Sequence, residues 1–187
     1  MNITEQIMKA DEYLSQGKQR LAFQAYMNVV DYYRRNKRNI KVNNGILTAY
    51  NNAVVIGLYL AGSKDDLIKI RNLALEFIRV AKKSDDSKMY AIACFHAGVA
   101  HNALEEYKKA VELLKEALEV FELLGDDEGV MLACKNIAEA YKGLGYIDRY
   151  EVYIGRAKAL AKQCGDEGLR EVDRMFRTWR SVPWVLR

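Results

Sequence analysis

The sequence predicts an all-α protein made of stacked helical hairpins. Three observations lead there: an almost complete lack of proline, apolar residues spaced by three and four, and self-similarity at a period of 40 to 41 residues. The single proline is Pro183, so every earlier residue keeps a backbone N–H able to join a helix ladder. Between positions 107 and 124 two interleaved sets recur at helical spacing. They are Val111, Leu114, Leu118, Phe121 and Leu113, Ala117, Val120, Leu124. Such spacing marks a helix buried along a broad face. No run of β-branched residues alternates with the period of a strand.

The helices follow from the breaks between them. Short Gly-, Asp-, Asn- or Ser-rich stretches interrupt the apolar pattern at Ser15-Gln16-Gly17, Asn43-Asn44-Gly45, Gly62-Ser63, Ser84-Asp85-Asp86-Ser87, Gly125-Asp126-Asp127, Leu144-Gly145 and Gly165-Asp166. Each reads as a glycine that ends one helix followed by a side chain that caps the next. The spacing thus predicts helices near 3 to 16, 18 to 35, 45 to 62, 64 to 83, 87 to 104, 106 to 124, 127 to 144 and 147 to 164. A ninth is predicted over 167 to 180, where Leu169, Val172, Phe176 and Trp179 sit at helical spacing among arginines. It suits a cap on the last hairpin, since terminal repeats need a polar outer side.

Composition sets the frame. The chain has 187 residues and 21.4 kDa, 50% hydrophobic and 29% charged, which fits a single domain spanning 1 to 187. A chain of this size buries roughly 70% of its extended surface, enough for a core without disulfides or metal. No apolar run reaches membrane-span length, and the first residues lack a basic stretch leading into an apolar one. Three cysteines without a C-x-x-C fit a reducing compartment. The expectation is a soluble cytoplasmic protein. A net charge of +4 permits an acidic partner without requiring one.

The helices form a repeat. A shift of 40 superposes Gly125-Asp126 on Gly165-Asp166, Ala117 on Ala157, His101 on Tyr141, Leu104 on Leu144 and Cys94 on Cys134. A shift of 41 carries Gly57 onto Gly98 and Leu73 onto Leu114. Helix pairs repeating at fixed period stack into a solenoid, because each hairpin leaves an apolar flank that its neighbour must cover. The longer linker between Asn36 and Asn44 places the first junction out of step and predicts an irregularity there.

The residues resemble the tetratricopeptide repeat family, whose consensus is W-x₂-L-G-x₂-Y followed by A-x₃-F. The third repeat reads Cys94-x₂-Ala97-Gly98-x₂-His101, then Tyr107, Ala110, Leu114 and Ala117. The fourth reads Cys134-x₂-Ile137-Ala138-x₂-Tyr141, then Leu144-Gly145, Ile154 and Ala157. The first keeps Ala10-x₂-Tyr13, Gly17, Ala22 and Tyr26, and the second keeps Ile56-Gly57-x₂-Leu60 and Leu73. The consensus Trp and closing Pro are missing, and the long period is similar to the longer-helix variants of the family. The resemblance implies a right-handed superhelical solenoid with repeats near 3-36, 45-83, 87-124 and 127-164, a capping helix and an apolar tail at 181-187. It also implies that the first helix of each hairpin lines the inside of the curve.

On that inner side the residues off the packing stripe include Asp11 and Leu14, then Asn51, Val54 and Leu58, then Ile92, Phe95, Val99 and Asn102, then Lys135, Glu139 and Lys142. The middle is apolar and the ends polar. Either neighbouring helices bury this strip, or it is a groove for a peptide or partner helix, with Phe95 as anchor and Asn51 or Asn102 bonding the ligand backbone. Family members that grip a terminal carboxylate use Lys and Asn where this chain has Ile7 and Asp11, and Phe95 and Val99 repeat the mismatch, so that mode is disfavoured. The expected function is a noncatalytic protein-binding adaptor.

Other chemistry is weak. His96 and His101 are five apart on one helix and cannot form an i, i+4 metal pair. Cys94 and Cys134 fall on equivalent interior positions, whereas Cys164 at a helix end is the thiol expected to react first. No cofactor and no metal are expected. Charge is segregated. Nine acids face three lysines between Leu104 and Glu128, while Arg34, Arg35, Lys37, Arg38 and Lys41 form a run without an acid. That basic run supports a second reading, a regulatory or nucleic-acid-associated sensor, although solvated helix faces with cations at a helix C-terminus account for it more simply. The tail Trp184-Val185-Leu186 either folds over its own cap or enters the groove of a second copy as a homodimer.

Overall fold

A computed structural model describes residues 1 to 163. The predicted capping helix, the tail and Cys164 lie outside the described residues. Eight helices and no strands occur among the described residues. They are α1 (Ile3–Ser15), α2 (Gln19–Asn36), α3 (Asn44–Leu60), α4 (Lys64–Ala81), α5 (Ser87–Ala103), α6 (Tyr107–Leu124), α7 (Asp127–Gly143) and α8 (Ile147–Gln163). Each end falls within two residues of its predicted place. No described helix is long and apolar enough to cross a membrane.

The helix starts follow the capping chemistry of the sequence. Asn43, Ser63, Asp86 and Asp126 each accept a hydrogen bond from the backbone N–H three residues on, at Ile46, Asp66, Met89 and Gly129, over 2.9 to 3.1 Å. Such a cap contributes about 1 kcal/mol by satisfying an N–H that the helix ladder leaves bare. Asp86 and Asp126 are one 40-residue period apart. The turns inside hairpins also recur. Gly17 and Gly145 hold φ of 69° and 79°, and Glu105, one period before Gly145, adopts φ of 60° without being glycine. A side chain in this left-handed region costs about 1 kcal/mol.

Each helix packs on the next in sequence, and the first helices α1, α3, α5 and α7 also touch one another in succession. The result is a row of four hairpins with the first helices side by side, as the solenoid requires. Small residues set the spacing within a hairpin. A Cβ built on Gly98 would lie 2.5 Å from Leu114 Cγ, and one built on Gly57 would lie 2.3 Å from Ile70 Cδ1. Ala110 and Ala117 are fully buried on the facing helix, so α5 and α6 meet almost backbone to backbone. The core is one continuous cluster from Ala10 to Ala161 and contains the whole side chains of Tyr26, Tyr50, Phe77, Leu114 and Ile137.

A polar clasp repeats with the same period. Tyr50 Oη donates to Glu76 Oε1 at 2.8 Å, and Tyr90, 40 residues later, donates to Glu116. Both pairs join a first helix to its own second helix across a 26-residue separation. In the fourth hairpin the corresponding positions are Val130 and Arg156, which cannot form this bond, and Arg156 instead pairs with Glu122 of the preceding hairpin at 2.6 Å. Hairpins two and three are further tied by Arg71 to Glu106 at 2.8 Å, and hairpins three and four by Lys88 to Asp126.

Candidate functional site

The face expected to line the inside of the curve is formed by the first helices α3, α5 and α7, which stand side by side. Hydrogen bonds lock adjacent members together. His96 on α5 donates through Nε2 to Asn51 Oδ1 on α3 at 3.1 Å, and Asn102 Nδ2 on α5 donates to the Asn136 carbonyl on α7 at 2.9 Å. Asn136 in turn donates to the Leu132 carbonyl. His96 Nδ1 and Asn102 Oδ1 are buried without a hydrogen-bond partner among the described residues. Burial holds the His96 ring down to about pKa 4, so it is neutral at pH 7.

The expected groove residues divide into three groups. Val54, Leu58 and Val99 are buried, at 0%, 3% and 5% exposure, and fill the space between helices, so none offers itself to a ligand. Their helices are contacted on several sides at once: α3 touches α1, α2, α4 and α5, and α5 touches α3, α4, α6 and α7. Residues read as lying off a single packing stripe therefore still meet a neighbour. Ile92 and Phe95 are half-buried, and the Phe95 ring sits edge-on to Phe121 of α6 at 6.5 Å. Asn51 and Asn102 are half-buried, Asn51 engaged through both ends of its amide, donating to Asn52 at 3.0 Å, and Asn102 through its Nδ2 alone. Lys135 is half-buried, 3.9 Å from the exposed Glu139, and Lys142 is exposed. The surviving surface is a half-buried apolar centre at Ile92 and Phe95 with a polar margin along α7.

The basic run is broken up by partners. Arg34 is held bidentately by Glu76, with Nε 3.1 Å from each carboxylate oxygen, and also binds Asp31 at 2.8 Å. Glu76 thereby joins Arg34 to Tyr50. Despite burial, which favours its neutral form, these two hydrogen bonds hold the Glu76 carboxyl below the usual range. Arg35 Nε donates to the Asp31 carbonyl at 3.2 Å. Two of the five cations are thus bracing α2, while Lys37, Arg38 and Lys41 stay exposed. Tyr33 is buried edge-on to Tyr50 at 6.3 Å, and Tyr32 is half-buried.

The described cysteines and His101 are packed away. Cys94 and Cys134 are buried free thiols, and burial pushes Cys94 up to about pKa 12 and raises Cys134 in the same direction. His101 is buried beside Glu106, with its basicity lowered by burial against the opposing pull of that carboxylate. Among the described residues no group of His, Cys, Asp and Glu is disposed to hold a metal.

One concavity was not foreseen. An open cleft of about 960 Å³ lies where the 37–43 linker meets the loop between α4 and α5. Its walls include Lys37, Ile40, Lys41, Val42, Lys83, Lys88 and Leu124. The irregular first junction creates it, because the extra linker residues pass across the hairpin ends instead of turning tightly between them.

Solved structures that share this arrangement at probability 1.00 include the following. BtubC (BKLC) from P. vanneervenii matches with a TM-score of 0.74 and 17% identity, over 88% of this chain. A putative kinesin light chain from Podosopora anserina, with nearly identical TPR-like repeats, matches with a TM-score of 0.64 and 14% identity, over 96% of this chain and 94% of its own. The fold is of the tetratricopeptide type. At these identities the likeness concerns the fold alone, and the chain spans 65% of the length of BtubC. No protein-family model matches the chain, and no curated protein matches it. Within the tetratricopeptide-type frame the small residues Gly57, Gly98, Ala110 and Ala117 stand at the closest helix approaches, where the resemblance placed them.

Proposed function

We propose that this protein is a noncatalytic scaffold that holds a protein partner against the inner face of its first helices. The observation supporting it most is the unbroken side-by-side placement of α3, α5 and α7, pinned by His96 to Asn51 and by Asn102 to Asn136. Such a face is rigid before binding, which lowers the ordering cost of association. Ile92 and Phe95 supply its apolar centre, Asn51 and Asn102 its polar neighbours, and Lys135, Glu139 and Lys142 its charged margin. Val54, Leu58 and Val99 act beneath it as support. Binding is favoured over catalysis because the described thiols, Cys94 and Cys134, are buried and kept in the protonated, weakly nucleophilic form, and His101 is buried beside Glu106. The two buried free thiols favour a reducing, cytoplasmic setting.

The test is affinity capture followed by mass identification, repeated with Ile92→Glu and with the pair Glu139→Lys and Lys142→Glu. Loss of the same partner from both variants, with unchanged helicity and melting, supports the inner face. Full recovery from both refutes it. A reading as a nucleic-acid sensor through Arg34, Arg35, Lys37 and Arg38 draws less support, since Arg34 and Arg35 are engaged within α2 and with Glu76.

A further inference from the structure

The cleft at the first junction has a chemistry of its own. Four lysines line it, Lys37, Lys41, Lys83 and Lys88, against Asp85 and Asp86. Lys88 is neutralised by Asp126 at 2.8 Å, and Asp86 is committed to capping α5 through the Met89 N–H. Lys37, Lys41 and Lys83 are exposed and form no ion pair among the described residues. The cleft also borders the start of α3, where Asn43 and Asn44 line it and no acid stands in the first turn. The partial positive charge of that helix end is uncompensated. Aliphatic side chains share the lining with these polar groups: Ile40 and Val42 are half-buried, and Leu124 is 48% exposed.

We infer that this cleft docks an acidic peptide segment of a partner protein, with carboxylates on Lys37, Lys41 and Lys83 and one aliphatic side chain set against Ile40, Val42 and Leu124. The combination decides between polyanions. A single-stranded nucleic acid needs exposed aromatic faces for its bases, and the one aromatic ring of the cleft, Tyr33, is 4% exposed and packed edge-on to Tyr50. No arginine lines the cleft to grip phosphate bidentately. Aliphatic side chains among unpaired lysines in one cleft instead match carboxylates flanking a leucine. The surface lies at the hairpin ends and is a separate contact from the inner face, so neither reading rests on the other.

Fluorescence anisotropy tests it with defined probes: a labelled nonapeptide of Asp and Glu with one central Leu, the same peptide with Ser for Leu, and a nine-nucleotide oligo(dT). The leucine peptide should bind, weaken about tenfold when its Leu becomes Ser, and weaken at least tenfold with Lys41→Glu combined with Lys83→Glu. Leu124→Ser, at an exposed position, should remove most of the advantage of Leu over Ser while leaving the melting temperature unchanged. Equal binding of oligo(dT), no preference for Leu, indifference to the lysine reversals, or no binding at millimolar peptide would each overturn the inference. Self-association of the protein that the same lysine reversals abolish would assign the cleft to a second copy and overturn it equally.

Discussion

Replacing Gly98 by alanine in the middle of α5 opposes two effects of known sign. In an exposed helix interior the change stabilises by about 1 kcal/mol, because alanine loses less backbone freedom on folding. At Gly98 the new methyl would stand 2.5 Å from Leu114 Cγ, 2.9 Å from Leu114 Cδ2 and 3.3 Å from the Ala110 carbonyl oxygen. Leu114 is fully buried and cannot swing aside without displacing the core. Overpacking of this kind costs about 1 to 3 kcal/mol, and relief by backbone separation would reach the whole α5–α6 contact. The net expectation is a loss of up to about 2 kcal/mol, a fall of up to roughly 8 °C in melting temperature for a domain of this size. Gly155 provides the control: it lies within α8, and a Cβ there meets nothing within 4 Å. Gly155→Ala should raise stability by about 1 kcal/mol. Thermal melts followed by circular dichroism decide the matter, with Gly98→Ala also combined with Leu114→Ala. The double variant should show favourable coupling of about 1 kcal/mol or more, since truncating Leu114 removes the clash. Equal stabilisation by alanine at both glycines would refute the close approach of α5 and α6.

Three further outcomes follow from the same structure. Tyr50→Phe should cost about 1 kcal/mol, because it leaves Glu76 with Arg34 alone, and the loss should disappear in a Glu76→Ala background, where no acceptor remains for the hydroxyl, by equilibrium urea unfolding. Glu105→Gly should stabilise by up to about 1 kcal/mol, the relief of a positive-φ side chain outweighing the added freedom of the unfolded chain, measured by the same unfolding. Stability should fall as pH drops from about 6.5 to about 4, since the unfolded His96 takes up a proton that the buried ring refuses. The loss is about 3 kcal/mol across that window. His96→Gln should flatten most of it, with a residual slope from His101, which burial shifts in the same direction. An unchanged pH slope in His96→Gln would contradict the burial of that ring.

Helix boundaries were legible because the capping residues act locally: Asn43, Ser63, Asp86 and Asp126 satisfy N–H groups three residues away, a pattern visible in the chain itself. The hairpin contacts were legible for a related reason, since Gly98 and Ala117 are small where two backbones must approach. The inner face was only partly readable. On α3 and α5 most positions are apolar or small, so helical periodicity does not tell a side chain facing a neighbour from one facing outward, and Val54, Leu58 and Val99 went to the core. The Tyr50–Glu76 and Tyr90–Glu116 clasps were written in the sequence as a 26-residue separation repeated after 40. That spacing becomes meaningful once the hairpin places both partners at the same height. The basic run looked free because Glu76, which holds Arg34, lies 42 residues away. The cleft joins two loops that no local pattern connects.

Photo-crosslinking from a benzoylphenylalanine placed singly on either side of the solenoid tests the central claim most directly. Ile92 and Lys142 would carry the probe on first helices, and Lys69 and Lys158 on second helices. One shared crosslinked partner is expected from Ile92 and Lys142 and none from Lys69 or Lys158. Crosslinking to that partner from the second helices, with none from Ile92 or Lys142, would contradict it.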